Sequence, residues 1–376
     1  MLQKVSIQNF KSLKDVTLEL QKVNLLIGPN NSGKSNFLKA LELWGKYISF
    51  PNEQNRFVKT INDLEEFSFK KKKDNLKFEV LFNNELVGCN IISSVDGYSG
   101  IDYKILFDGE TYPTSISSDY SNNHTIELSI FNETARIHIR NLERKIFEDI
   151  KIYKINPQSF INAQPISGIP NRFLLEDGSN MVAFLDFLKD EHKNLYRSLE
   201  QDLSKCIPEF IDINLKTVIS PDNDKRSYKK WGLGNEFDKY WADELSEGTL
   251  YFLALLCIVH QPNPPKLLLL EEPEKGIHPR RIHEIMKFIF QLAEDKDIQV
   301  IMTSHNEHVL EEFAIIPEAV FIFDKDEEGA TQVKNLKRDV IDRSNENARR
   351  IGIEPIDFTD NIGENWFMGL MGGVPA

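Results

Sequence analysis

"LIGPNNSGKSNFLKAL", residues Leu26–Leu41, sets a glycine, four residues and then Gly-Lys-Ser in one short stretch. The match runs Gly28-Pro29-Asn30-Asn31-Ser32-Gly33-Lys34-Ser35, the complete G-x-x-x-x-G-K-S spacing of a phosphate loop. The flanks agree with it. Val23–Ile27 is an apolar run suited to one buried strand. From Asn36 onward, Phe37, Leu38, Leu41 and Trp44 recur at helical spacing. Gly28 and Gly33 permit backbone angles that turn successive N–H groups toward one anion. The N-terminus of the following helix adds partial positive charge. Lys34 is expected to reach the β- and γ-phosphates of a nucleoside triphosphate, and the Ser35 hydroxyl to ligate Mg²⁺.

Hydrolysis needs more than a loop: an acid for the metal and a base for water. Leu267–Leu270 form a buried-strand pattern that ends in Glu271-Glu272, followed by Pro273-Glu274. Ligands gather at the carboxyl ends of strands in parallel sheets. Glu271 is therefore expected to hold Mg²⁺ and Glu272 to polarise the attacking water. Ile298–Ser304 is another apolar strand with a polar end, and His305 follows it, positioned to sense a γ-phosphate. Ser246 and Gly248, in Leu245-Ser-Glu-Gly-Thr249, stand at the start of a helix running to Val259. That placement makes either an anion site or an ordinary serine N-cap. Because the chain already has one phosphate loop, an anion site there suggests use in trans.

The remaining sequence bounds the fold. The chain has 376 residues and is 41% hydrophobic, enough for a sizeable core. No apolar run approaches the roughly 20 residues of a membrane span, and the start Met1-Leu-Gln-Lys-Val does not read as a signal peptide. Cys89, Cys206 and Cys257 are widely spaced without metal-site spacing, which suits a reducing cytoplasm. A net charge of −13 disfavours DNA as the main surface contact. Lys70–Lys73 is the exception, read as a solvated hairpin tip or a local nucleic-acid contact.

Val5–Phe10 and Val16–Leu20 alternate as half-buried strands do. Short strands are expected at Leu76–Leu81, Leu86–Ile92, Tyr103–Phe107, Thr125–Phe131 and Thr134–Ile139, with turns at Asp96-Gly97, Asp108-Gly109 and Asn122-Asn123. Asn180–Ser204 reads as helix, residues 219–236 as a polar loop, and a long helix is expected from Glu244, followed by two strand–helix units. The expected fold is α/β: a mostly parallel sheet flanked by helices, with an inserted antiparallel β subdomain and a helical lobe. The expected division is 1–160 (N-terminal lobe), 161–243 (helical connector) and 244–376 (C-terminal lobe).

In this order, the segments resemble the P-loop, ABC-type ATPase heads of the SMC, RecF and OLD families. "IQNFKSLKDVTLEL" with the phosphate loop is similar to that group's N-terminus. "LSEGT" resembles its signature motif, "LLLLEEPEKGIHP" its Walker B and D-loop, and "TSHNEHVL" its switch-histidine loop. The resemblance implies ATP and Mg²⁺ as ligands, and a Walker A loop from Gly28 to Ser35 and into Asn36. It implies Ser246 and Gly248 contacting the γ-phosphate bound to the opposite subunit. Glu271 would serve Mg²⁺, with Glu272 as catalytic carboxylate and His305 as switch. Phe10, Lys11 and Ser12 would border the nucleotide base. A Q-loop glutamine should ligate the metal, with Gln158 the best candidate and Gln164 competing. Too few residues separate Gln158 from Ser246 for a long coiled-coil arm, and too few follow Asp326 for the nuclease domain of OLD proteins. Asp324 and Asp326 then read as surface. The expected protein is an ATP-dependent homodimer acting beside a separate nuclease or effector, in phage defence or DNA repair. The alternatives are a RecF-like DNA clamp and a nucleotide-binding scaffold with little turnover.

Overall fold

Leu2–Phe10 (β1), which buries Leu2, Val5, Ile7 and Phe10, and Leu13–Glu19 (β2), which buries Leu13, Val16 and Leu18, pair antiparallel, with Phe10 opposite Leu13 across a tight turn. Val23–Ile27 (β3) is buried at every position, as a strand covered on both faces must be. The helix Lys34–Leu43 (α1) follows the phosphate loop. Then come Leu76–Phe82 (β4), Glu85–Val95 (β5), Tyr98–Phe107 (β6) and Glu110–Asp119 (β7). These four extend one antiparallel sheet in the order β2-β1-β4-β5-β6-β7. The strand β7 has no counterpart among the expected strands. It contains Pro113, which cannot donate to a ladder, and among the described residues it lies at the end of the strand order, where proline is tolerated.

In this computed structural model the described residues are 1–45, 76–82, 85–95, 98–107, 110–119, 150–166, 171–219, 227–354 and 358–373. The expected strands Thr125–Phe131 and Thr134–Ile139, the Asn122-Asn123 turn and Lys70–Lys73 lie outside them. The chain divides into two compact units. The first comprises 1–150, 266–271 and 298–376; the second comprises 151–265 and 272–297.

The second unit holds Ile152–Tyr153 (β8), Gln164–Pro165 (β9), the helices Met181–Glu191 (α2) and Lys193–Cys206 (α3), and the strands Asp212–Val218 (β10), Tyr228–Gly234 (β11) and Lys239–Trp241 (β12). The single helix expected over Asn180–Ser204 is thus two, parted at His192 (φ −131°). The loop expected at 219–236 is corrected more substantially. Tyr228–Gly234 is the strand between β10 and β12, and it also pairs with β9. Its lysines and glycines suggested a turn, but Trp231 and Leu233 alternate into the core and are fully buried. Lys229 pairs with Asp186, and Gly232 is a glycine because a Cβ would crowd the backbone of Tyr240 and Trp241.

The helix expected from Glu244 starts later, as Glu247–Val259 (α4), after a short 3-10 turn at Ala242–Glu244. From Gly248 to Val259 every residue of α4 is buried, consistent with its apolar character on all sides. Leu267–Glu271 (β13) returns the chain to the first unit, and Pro279–Asp295 (α5) belongs to the second. Gln299–Thr303 (β14), Glu307–Glu311 (α6), Val320–Lys325 (β15), Thr331–Asn335 (β16), Arg343–Ile351 (α7) and Ile362–Phe367 (α8) complete the first unit. Here β15, β3, β14 and β13 run parallel in that order, and β16 joins β15 antiparallel. Among the described residues no helix is long and apolar enough to cross a membrane.

One buried side chain joins the two sheets of the first unit. Gln299 accepts from Leu2 N (2.9 Å) and donates to Leu2 O (2.9 Å) and Gln21 O (2.8 Å). Gln299→Leu leaves these backbone groups without their partner and is expected to cost about 2–4 kcal/mol, read as a lower urea midpoint. In the second unit Asp202 accepts from Lys205, Lys296 and His260. Burial raises the Asp202 pKa, but these donors and the Lys296 charge outweigh it and leave it well below the usual carboxylate value. Burial and the Lys296 charge hold His260 below its ordinary 6.5 despite Asp202. Both groups bind protons more readily when unfolded, so both contribute stability that is lost on acidification. The urea midpoint should fall as pH drops below 6.5 and fall again below 3.8. His260→Gln should flatten the first of these declines.

Candidate functional site

The register of the parallel sheet sets Phe321, Leu26, Thr303 and Glu271 side by side across four strands. The chain therefore leaves β3, β14 and β13 at one level. Gly28 follows β3, Ser304 and His305 follow β14, and Glu272 follows β13. This convergence of strand ends is where a doubly flanked sheet places ligands.

The phosphate loop has the backbone its glycines imply. Gly28 (φ 142°), Asn31 (φ 65°) and Gly33 (φ 110°) all have positive φ. A Cβ at Gly28 would overlap the Phe323 carbonyl oxygen. Asn30 and Asn31 are exposed, Pro29, Ser35 and Asn36 half-buried, and Ser32, Gly33 and Lys34 buried. The Lys34 ammonium is folded into the loop, donating to Gly28 O (2.7 Å) and Pro29 O (2.8 Å), with Ser32 Oγ at 3.4 Å. Ser35 Oγ donates to Glu271 Oε1 at 2.6 Å. Two hard oxygen donors from sites 236 residues apart thus meet at the start of α1, the donor type that suits Mg²⁺.

Lys11, in the turn between β1 and β2, is non-glycine with φ 49°. Partial burial lowers its pKa, and the nearby Lys39 charge on α1 lowers it further. The C-terminal segment also returns to the loop: Trp366 Nε1 donates to Gly373 O (3.2 Å), and Gly373 lies against Ile322, Phe323 and Gly28. His305 is half-buried just beyond β14. Asp324 and Asp326 are exposed, and Asp326 caps the β15–β16 turn by accepting from Glu328 N and Ala330 N.

The other expected residues belong to the second unit. Glu272 has φ 49°, a conformation costly for a non-glycine residue, and its carboxylate lies 3.7 Å from Lys275 Nζ. Ser246 is exposed and caps α4, accepting from Thr249 N (3.2 Å). Gly248 is buried, with Arg281 Cδ 3.3 Å from where a Cβ would stand. Of the two candidate glutamines, Gln164 is buried and engaged, donating to Ser159 O and accepting from Val182 N. Gln158 is exposed, and its Nε2 donates to Glu247 Oε1 (3.3 Å) in the signature segment.

A family model described as "AAA domain, putative AbiEii toxin, Type IV TA system" matches residues 23–311. The chain belongs to this family. An ATP/GTP phosphatase of Helicobacter pylori is 24% identical over 337 residues, covering 83% of this chain and 87% of that protein. The lantibiotic transport ATP-binding protein SrtF of Streptococcus pyogenes is 27% identical over 151 residues, 39% of this chain and 62% of that protein. Among solved structures, an SMC head bound to the C-winged helix domain of ScpA aligns with TM-score 0.49 and 16% identity, over 89% of this chain and 96% of its own. An SMC head domain from Thermotoga maritima aligns with TM-score 0.44 and 13% identity, over 89% and 98%. The family match puts the chain in the AAA-domain P-loop class, and together with the phosphatase relative it supports nucleotide hydrolysis in general.

Within this AAA-domain chain, sequence reasoning missed two residues at the candidate sites. Glu247 was read only as part of the signature, and its contact with Gln158 depends on folding. Thr331, 299 residues from Ser32, donates its hydroxyl proton to Ser32 O. It lies in no motif, and nothing in the sequence beside it points to the loop. Gly28→Ala is expected to strain the loop by about 1–3 kcal/mol, because φ 142° disfavours a side chain and Phe323 O fills the space. The test is a fluorescent ATP analogue: binding should fall sharply while circular dichroism stays unchanged.

Proposed function

We propose that this protein is an ATPase that closes around ATP as a homodimer and opens on hydrolysis. The observation that carries the reading is the Ser35–Glu271 hydrogen bond, which joins the phosphate loop to the acidic strand end. Lys34 supplies charge to the β- and γ-phosphates, and the loop N–H groups and the α1 N-terminus add directed donors. Ser35 and Glu271 are the residues that would hold Mg²⁺, with Gln158 as the glutamine the motif order calls for. The ion's chemistry would be to neutralise charge on the transferred phosphoryl group.

Glu272 acts as the base. It takes a proton from water as the water oxygen bonds to the γ-phosphorus and the bond to the bridging β–γ oxygen breaks, leaving ADP and phosphate. Its φ of 49° supports a functional position, since such strain persists where surrounding structure enforces it. His305 senses the γ-phosphate from the end of β14. Ser246 and Gly248 sit at the N-terminus of a 13-residue helix, whose positive end suits the γ-phosphate bound to a second copy. Such a pair is two-fold symmetric and self-complementary. Its opening and closing would be read by a separate nuclease or other effector protein, in phage defence or DNA repair. A DNA clamp rests on Lys70–Lys73, outside the described residues.

Glu272→Gln should retain ATP and lose turnover by about 100-fold or more. Hydrolysis at the unchanged rate would assign the base elsewhere. Lys34→Ala and Ser246→Arg should each be inactive alone. Mixed, they form dimers in which one composite site carries both defects and the other carries neither, so ATPase activity should return. Full activity of Ser246→Arg as a monomer in light scattering would sink the shared site.

A further inference from the structure

Thr331 begins β16, far from every motif in the sequence, yet its side chain is 1% exposed and touches the phosphate loop. Its Oγ1 lies 2.8 Å from Ser32 O. A carbonyl only accepts, so the single hydroxyl proton of Thr331 is committed to Ser32. Ser12 Oγ lies 2.8 Å from Thr331 Oγ1, and Ser12 must therefore be the donor in that contact. With its own proton spent, Ser12 accepts from Asn36 Nδ2 at 2.9 Å. The direction of every bond is fixed: Asn36 amide to Ser12, Ser12 to Thr331, Thr331 to the Ser32 carbonyl. Chains of donors aligned in this way strengthen one another.

The consequence lies in the next peptide atom. Ser32 C=O and Gly33 N–H share one peptide unit, and the described residues contain no cis bond. In a trans unit the two groups point in opposite directions. Holding the carbonyl toward Thr331 therefore turns the Gly33 N–H away from β16. The same closeness explains Gly33 beyond its φ, because a Cβ there would overlap Thr331 Oγ1 and stand 2.9 Å from Ser12 Oγ. Were the unit to flip, an acceptor would replace a donor on the side where anionic phosphates bind.

We infer that Thr331 is a positioning residue whose hydroxyl locks the Ser32–Gly33 peptide with its N–H toward the nucleotide phosphates. The inference rests on the phosphate-loop reading of Gly28–Ser35. A purely architectural role is separable from it. Thr331 N donates to Ser12 O at 2.8 Å, and this bond ties β16 to the β1–β2 turn whatever the side chain.

Thr331→Val keeps shape and the backbone bond but loses the proton; Thr331→Ser keeps the proton. Binding of ATP, ADP and AMP with Mg²⁺ is measured by calorimetry on the full chain, beside the urea midpoint. Thr331→Val should weaken ATP and ADP by roughly tenfold, about one hydrogen bond, and leave AMP, which lacks the β- and γ-phosphates, unmoved. Thr331→Ser should bind within about twofold of the unchanged protein, the spread of a tolerated substitution. ATP binding by a folded Thr331→Val equal to the unchanged protein overturns the inference alone. Equal weakening of all three nucleotides with a lowered urea midpoint also overturns it, in favour of architecture. If Thr331→Val does not fold, Thr331→Ala is read by the same criteria. Failure of the unchanged protein to bind ATP sinks the phosphate-loop reading, and this inference with it.

Discussion

The hydrogen bond from Ser35 Oγ to Glu271 Oε1 depends on nearly everything else in the first unit. Ser35 is placed by the glycine loop after β3, and Glu271 is the last residue of β13. They meet because β14 lies between those strands and pairs in register with both. A slip of one residue in either ladder would turn the alternate side chains to the opposite face. The fully buried strands β3 and β14 make such a slip costly, since every position is covered. Core packing and site geometry are therefore the same constraint seen at two ends of the strand.

Around this contact the loop is held from several directions. Phe323 of β15 leaves no room for a side chain at Gly28, and Gly373 packs on the same spot. Ser12 and Thr331 approach Gly33 from the other flank. Lys34 fills the interior with an ammonium that three loop oxygens surround. The loop is thus preorganised by the antiparallel sheet turn, by the β15–β16 hairpin and by the C-terminal segment. Preorganised donors cost little reorganisation when charge develops.

The second unit is built differently. Its helix α4 is apolar almost throughout, but it begins in an exposed serine cap. Several of its charged groups pair: Asp202 with Lys205, Lys296 and His260, and Lys229 with Asp186. Gln158 and Glu247 meet at its surface. This unit offers helix-end dipoles and polar side chains, where the first offers a rigid loop, and the proposed dimer uses both.

The glycine loop, the acidic strand end and the serine cap of α4 were legible in the sequence because each is a short local pattern. Its physical requirement, a glycine backbone, a strand terminus or a helix cap, is met within a few residues. The buried apolar runs also announced the parallel strands. Less was legible where neighbours far along the chain decide. Tyr228–Gly234 read as a loop, since its lysines and glycines resemble a turn until Asp186 and Trp241 are beside them. The break at His192 and the strand carrying Pro113 follow from tertiary context that overrides local preference. Gln158 and Gln164 are equivalent as letters, and only burial distinguishes them. Thr331 carries no signal at all: it matters because a hairpin brings its hydroxyl to Ser32. The sequence determined which chemistry the chain carries, because chemistry is local. The tertiary structure decided which distant groups hold that chemistry in place, because a hydrogen bond specifies a distance in space and none along the chain.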